Sequence, residues 1–390
     1  MEYFVDLHVH IGRSQGKPVK VTASRQLTLD GIIKTCIDIK GINIVGLVDC
    51  ASPYVLKEIK DKVKSGELVE LPKGGLSFQG KLTLILGAEI ETQEKNGAAH
   101  SVAYFSSIKQ MEEFSGIISK YIRNIGLSSQ KARLNARQLL SIVSELGGKL
   151  IPAHVFTPFK SFYGSCYERI SIAFEERFNE IKTIELGLSA DTNLADRIKE
   201  LSEKQFVTNS DAHSLNKIGR EYNKVELDSP DYENLFEAIE GKSHHKRVLA
   251  NYGLDPRLGK YHRTRCLSCN YIAETPPPVI KCPKCYSNKI TMGVLDRITL
   301  IADYDDAVHP YGRPPYYYHI PLEFVPGIGK KTMERLIKAF GSEINIMHYA
   351  TFDDLKEVAG ESVAEKILAA RKGTLKLKVG GGGIYGKVLL

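Results

Sequence analysis

Through residues 1–245 the hydrophobic pattern switches repeatedly between two periods. Short apolar runs predict strands at Tyr3–Leu7, Ile44–Val48, Leu82–Ile90, His100–Phe105, Leu150–Ala153, Thr183–Leu188 and Gln205–Thr208. Between them, three- and four-residue spacing predicts helices at Thr28–Lys40, Pro53–Lys64, Ala136–Leu146 and Asp191–Glu203. In the last of these, Leu194, Ile198 and Leu201 share a face. Strands alternating with helices predict an α/β protein built of βα units.

Past a boundary at His244-His245-Lys246-Arg247 the pattern changes. A segment with four clustered cysteines comes first. A Pro/Tyr-rich stretch from His309 to Tyr316 follows and reads as an extended linker. Residues 322–371 return to helical periodicity, and the run Gly380 to Gly383 predicts a mobile tail. The expected division is therefore 1–245, 246–321 and 322–390. A chain of 390 residues is long enough for two or three domains. No apolar run approaches the ~20 residues of a membrane span, and the first residues carry no secretory pattern. A cytoplasmic location with no membrane partner is the expectation.

The chemistry-bearing residues sit where the strands end. Asp6-Leu7-His8-Val9-His10, Gly87-Ala88-Glu89, Pro152-Ala153-His154 and Ser210-Asp211-Ala212-His213 each close an apolar run. Strand ends of an α/β barrel converge on one face, where barrel enzymes keep their active sites. A lone histidine is ordinarily a core or surface residue. The metal assignment rests on the whole set arriving at successive strand ends. His8 and His10 are alternate residues of one strand, so both imidazoles can face one ion. Such a di- or trinuclear site activates water for phosphoester hydrolysis.

The seven cysteines divide unevenly. Cys266-X2-Cys269 and Cys282-X2-Cys285 have the spacing of a zinc ribbon, whose four thiolates leave no open position for water. Cys36, Cys50 and Cys166 are scattered. Residues 251–390 hold 20 Lys and Arg against 14 Asp and Glu, so the positive excess is C-terminal and suits a phosphate-bearing partner. Val325-Pro326-Gly327-Ile328-Gly329-Lys330-Lys331 opens an apolar-periodic helix and looks like a helix-hairpin-helix turn. Gly327, Gly329, Lys330 and Lys331 would contact the DNA backbone there. A second hairpin is expected within Thr351–Ala370.

Residues 1–245 resemble the PHP (polymerase and histidinol phosphatase) superfamily through His8-Val9-His10, Gly46-Leu47-Val48-Asp49, Gly87-Ala88-Glu89, His100, Ala153-His154 and Asp211-Ala212-His213. The resemblance implies a distorted seven-stranded (β/α) barrel with two or three divalent ions, usually zinc, sometimes manganese, with magnesium a further option. It implies one ion on His8, His10, Glu89 and Asp211, a second on Glu89, His100 and His154, and a third involving His213. Catalysis would rest on His8, His10, Glu89 and Asp211. The common motif ends its second strand in Asp-His, whereas this chain has Asp49-Cys50, and Arg13-Ser14 stand where a further histidine often lies. Either Asp49 substitutes as a ligand, Cys50 binds as thiolate, or the third ion is weak.

The order of barrel, cysteine ribbon and tandem hairpins resembles the endonuclease Q family over nearly the whole chain. Pro152–Pro158, Glu185-Leu186-Gly187-Leu188-Ser189, Ser210–Ser214, Gly219-Arg220-Glu221 and Gly259-Lys260-Tyr261-His262 carry the likeness. It implies a DNA repair endonuclease that uses metal-activated hydroxide to cut 5′ of uracil, hypoxanthine, xanthine or an abasic site. A replication clamp is left open as a further partner, and a monomer is expected. Reading a base requires it out of the stack. Ser189 and Asn209 could pair with its edge, and Phe159, Phe162 and Tyr163 could stack on it. A helix cap for Ser189 and plain packing for the aromatics are the competing roles. Three rival readings share some of these features: a histidinol-phosphatase-like phosphomonoesterase, a 3′–5′ exonuclease, and a DNA-binding scaffold with a degenerate barrel.

Overall fold

The computed structural model describes residues 1–389. All seven predicted strands are present: β1 (Glu2–Val9), β2 (Ile44–Leu47), β3 (Leu82–Glu94), β4 (Gly97–Phe105), β5 (Lys149–Pro152), β6 (Thr183–Glu185) and β7 (Gln205–Val207). β1, β2 and β3 run parallel, β4 and β5 continue antiparallel, and β6 and β7 pair parallel with each other. Only one backbone bond at one seam and two at the other bridge the gaps in this ring. Val155 N–H donates to the Glu185 carbonyl at 3.1 Å, and the Val9–Ala212 bridge joins the end of β7 to β1. The barrel is distorted because these two seams lack continuous ladders.

The strands are apolar on both faces, as parallel strands covered by helices must be. Val5, Leu7, Ile44, Leu47, Leu84, Leu86 and Phe206 are fully buried. Helix Pro53–Lys64 lies where its periodicity predicts, and Ala136–Glu145 is closed by an Asn135/Gln138 capping box. The first predicted helix starts on a Thr28 cap, then widens into a π-turn over Cys36–Lys40. The predicted helix Asp191–Glu203 does not run through. Thr192–Ala195 is helical, Ile198 is extended, and a short 3-10 turn covers Lys199–Leu201. Distant groups take over the backbone here. The Asp303 carboxylate accepts the Lys199 N–H at 2.8 Å, and the Arg197 carbonyl accepts the Asp303 N–H at 2.9 Å.

The main sheet extends outward from β1 through β8 (Tyr222–Glu226), β9 (Arg247–Gly253) and β10 (Tyr316–Tyr318). The Pro/Tyr-rich stretch expected to be a linker is therefore partly a sheet edge. Arg313 anchors it, pairing with Asp196 at 2.8 Å and lying 3.8 Å from the Phe206 ring centre. Helices Lys330–Phe340, Glu343–His348, Phe352–Ala359 and Glu361–Arg371 pack around Leu336, Ile346, Leu355 and Ile367. Lys40 and Glu343 tie them to the barrel at 2.9 Å.

The tail expected to be mobile is folded. Leu377–Lys378 pairs with Lys387–Val388, and Gly380, Gly383 and Gly386 donate to the carbonyls of Arg257, Lys260 and Leu258 at 2.7, 2.9 and 2.9 Å. A glycine run is compatible with flexibility or with close backbone approach, and here the approach decides. A Cβ on Gly380 would lie 2.6 Å from the Gly259 carbonyl oxygen. Among the described residues no helix is long and apolar enough to cross a membrane.

Candidate active site

The barrel rim gathers two groups of possible ligands. His8, His10 and Asp211 form one, and Glu89, His100 and His154 form the other; within each group the donor atoms lie within 4.8 Å of one another. Glu89 connects the groups, 2.8 Å from His100 Nδ1, 3.3 Å from His154 Nε2 and 3.5 Å from His8 Nε2. His10 Nε2 stands 3.3 Å from Asp211. His213 stacks edge-on to His10 at 4.5 Å and is more exposed. Two of these residues have left-handed backbone, His154 at φ 33° and Asp211 at φ 46°. That conformation is uncommon for non-glycine residues and recurs at functional sites.

Three of the buried imidazoles are steered from behind by a carboxylate, and the fourth, His154, has the Thr157 hydroxyl 3.3 Å from its Nδ1. Glu185 lies 3.0 Å from His8 Nδ1, Asp49 lies 3.0 Å from His10 Nδ1, and Glu91 lies 3.2 Å from His100 Nε2. The opposite nitrogens, His8 Nε2, His10 Nε2 and His100 Nδ1, are buried and make no well-aligned hydrogen bond, facing only the carboxylates of the same cluster, Glu89 and Asp211. Such nitrogens, on rings backed by carboxylates, are what metal-ligating histidines present, so the residues fit a group of divalent cations. Asp49 sits behind His10 and also accepts the Ile11 N–H at 2.5 Å and the Ser128 hydroxyl. Cys50 is a buried thiol donating to the Leu47 carbonyl at 3.2 Å, and burial pushes its ionisation up.

The electrostatics suit cations. Burial opposes ionisation of Glu89, but His100 and Lys20 outweigh it and hold the carboxyl well below its usual range. Burial likewise opposes Asp211, and His10, His8 and His213 hold it well below. Burial and the nearby His10 charge push His213 down to about 4. Lys20 reaches Glu89 at 2.9 Å and Ser129 at 2.5 Å.

These groups open into a cavity of about 870 Å³ lined by Lys20, Ser129, Phe159, Ser189, Arg220, Lys260, Tyr261 and Tyr385 among others. Ser189 faces it, and the helix cap belongs instead to Asp191. Phe159 is 53% exposed and meets Tyr261 edge-on at 5.6 Å. Phe162 and Tyr163 lie in the core, with Tyr163 stacked on Phe156 at 5.0 Å. Asn209 touches the cavity, but its amide faces inward. Oδ1 accepts the Leu7 N–H at 2.9 Å, and Nδ2 donates to Glu185 at 2.8 Å. Sequence reasoning missed Glu185, Glu91 and Lys20. The signal for Glu185 was a carboxylate closing an apolar strand in the motif already singled out, and for Glu91 its place two residues from Glu89.

Away from the barrel, Cys266 and Cys285 sulfurs lie 3.6 Å apart, as do those of Cys269 and Cys282. A zinc–sulfur distance of ~2.3 Å in a tetrahedron separates sulfurs by ~3.8 Å, so the cluster fits zinc. Gly327, Gly329, Lys330 and Lys331 are exposed at the start of helix Lys330–Phe340, with Gly327 at φ 97°.

Comparison with known proteins places this geometry. Residues 191–242 match the PHP-associated family model. The chain is 41% identical to the uncharacterized protein YqxK of Bacillus subtilis over 390 residues, covering 99% of this chain and 98% of that one. It superposes on the lesion-specific endonuclease PfuEndoQ from Pyrococcus furiosus with a TM-score of 0.85 at 32% identity, covering 100% of this chain and 96% of that one. Endonuclease Q bound to a 27-mer duplex with an abasic lesion at the active site gives a TM-score of 0.86 at 32% identity, over 100% and 97% of the two chains. The chain belongs to the endonuclease Q family.

Proposed function

We propose that this protein repairs DNA by hydrolysing the phosphodiester immediately 5′ of a uracil, hypoxanthine, xanthine or abasic site, leaving a 3′-hydroxyl and a 5′-phosphate. One observation carries the reading: His100, His154 and the ionised carboxylates Glu89 and Asp211 line an open cavity, with His8 and His10 buried directly behind them, in a chain that matches a lesion-specific endonuclease end to end.

His8, His10 and Asp211 would hold one ion, and Glu89, His100 and His154 another. Bound divalent ions would supply the Lewis acidity that activates water and offsets phosphate charge. Glu185, Asp49 and Glu91 fix the imidazole orientations. The Lys20 ammonium sets a permanent positive charge on the cavity wall, where a phosphate oxygen would arrive. Ser189 offers a hydroxyl to an extruded base. Asn209 is better read as the residue that holds Glu185 than as a base reader. Residues 246–321 would carry a structural zinc, and the exposed Gly327, Gly329, Lys330 and Lys331 would grip the DNA backbone.

Digestion of labelled duplexes carrying one uracil, hypoxanthine, xanthine or abasic site tests the reading. A nick on the 5′ side of the lesion is expected. Release of phosphate from small phosphomonoesters without any nick, or digestion of undamaged strands from the 3′ end, would replace it with a rival activity.

A further inference from the structure

Tyr385 stands on the wall of the barrel cavity although it lies in the glycine-rich tail, far from the barrel in sequence. Its hydroxyl accepts from Arg220 Nη1 at 3.0 Å. Arg220 is itself buried and donates to the Ser210 carbonyl at 2.8 Å and the Asp211 carbonyl at 3.4 Å, so the ring is fixed beside the metal-facing strand end. Lys260 lies 5.9 Å from the ring centre. The tail that carries Tyr385 is held to Arg257, Leu258 and Lys260 by backbone bonds. Its glycines permit this approach: a Cβ on Gly386 would meet the Lys378 carbonyl oxygen at 2.5 Å. The other aromatics on the cavity, Phe159 and Tyr261, lean on each other. Tyr385 is therefore an aromatic ring placed on the cavity wall and tied through Arg220 to the Asp211 backbone.

We propose that Tyr385 is a specificity-determining residue, delivered by the folded tail, whose ring packs against the base of an extruded lesion nucleotide. The proposal rests on the DNA-endonuclease reading above. A ring at this position adds apolar and π contact to any base, and an abasic sugar has nothing to place against it. Tyr385 would thus raise turnover at base-bearing lesions and leave abasic sites unaffected.

The test uses full-length protein with its metals. Wild type, Tyr385→Ala, Tyr385→Phe and Gly380→Val are compared on duplexes with one uracil, hypoxanthine or abasic site. Tyr385→Ala should slow cutting at uracil and hypoxanthine roughly ten- to a hundredfold, the range of base–aromatic stacking, with under about a threefold change at abasic sites. Tyr385→Phe keeps the ring and should retain most activity. Gly380→Val should dislodge the tail and reproduce the alanine pattern. An equal loss on all three substrates would make Tyr385 a support for Arg220 and Asp211 only, and no loss on any would remove it from the site; either result overturns the proposal. Binding to the same duplexes with a non-hydrolysable phosphonate at the scissile position provides a second readout. Wild type that cuts none of them yet loses its preference for uracil over abasic DNA on Tyr385→Ala would overturn the endonuclease reading and leave the base contact standing.

Discussion

The four cysteines around Cys266 and the imidazole–carboxylate groups around Glu89 gather donor atoms to the same 4.8 Å, yet they are built in opposite ways. The cysteines come from 20 consecutive residues, two knuckles whose own amides turn back on their sulfurs, as Ser268 N–H does on Cys266 at 3.3 Å. All four positions around an ion would be filled by thiolates, and none of the four lines the large cavity. The barrel ligands come from strand ends between His8 and Asp211; carboxylates orient His8, His10 and His100 from behind, and Glu89, His100, His154 and Asp211 face open space. A closed sulfur site stabilises a fold, whereas an open nitrogen–oxygen site leaves room for water and substrate. The local site can be read from spacing and lost locally. The distributed one exists only when the whole barrel has closed.

That contrast can be broken most directly at the barrel. Asp211→Asn or His8→Ala should reduce cutting by at least about a thousandfold, the loss of one metal ligand being decisive for metal-activated water. Circular dichroism and the unfolding midpoint should barely move. A variant with normal turnover, or one that fails to fold, would erase the distinction between the two centres. Cys282→Ser should do the reverse. It should lower bound zinc by about one ion per chain and loosen residues 261–292 to protease, with barrel metals retained. Metal analysis of both variants side by side decides the matter. Unchanged zinc content would show that the cysteines do not bind it.

Smaller effects sharpen the comparison. Glu185→Gln keeps the shape behind His8 but removes the charge that orients its ring, and should cost roughly ten- to a hundredfold in barrel metal affinity or activity. A metal titration monitored by turnover measures it, and ribbon zinc should be unaffected. The smallest effect concerns Glu221, immediately ahead of β8. Burial raises the Glu221 carboxyl to about 8, and its oxygen accepts the Leu254 N–H at 2.7 Å on the way to the ribbon. A carboxyl whose folded value is raised is protonated in the fold while the unfolded chain has already ionised. Stability should therefore fall as pH rises from about 4.5 to about 8. Glu221→Gln should flatten that slope. Urea midpoints at pH 5 and pH 8.5 would show it, and parallel slopes for the two proteins would dismiss the effect.

Much of the barrel was legible because each strand carries its own apolar run and several end in a chemical marker. His8, Glu89, His154 and Asp211 announced themselves in this way. The carboxylates behind the rings did not. A single Glu185 at a strand end or Glu91 within a strand looks like any half-buried acid until the fold brings His8 or His100 against it. Asn209 was found at the rim, but sequence could not say which way its amide turns, because Leu7 and Glu185, its partners, lie 202 and 24 residues away. The helix expected over Asp191–Glu203 broke for the same reason: Asp303 competes for its backbone from a distance. Phe162 and Tyr163 show the limit for aromatics, since exposure separates a stacking ring from a packing ring and only Phe159 has it.

The folded glycine tail also changes which part of the molecule governs the cavity. Its hairpin is two residues on each strand, and it rests on loop carbonyls rather than on the barrel core. Segments held this way open at a fraction of the free energy of global unfolding. On warming or in mild denaturant, the wall bearing Tyr385 should peel away while the metal-facing strands remain intact. The protein would pass through a state that still binds cations and has lost one side of its pocket. Two midpoints would then be recorded for one chain, the lower by activity on base-bearing lesions and the higher by barrel melting.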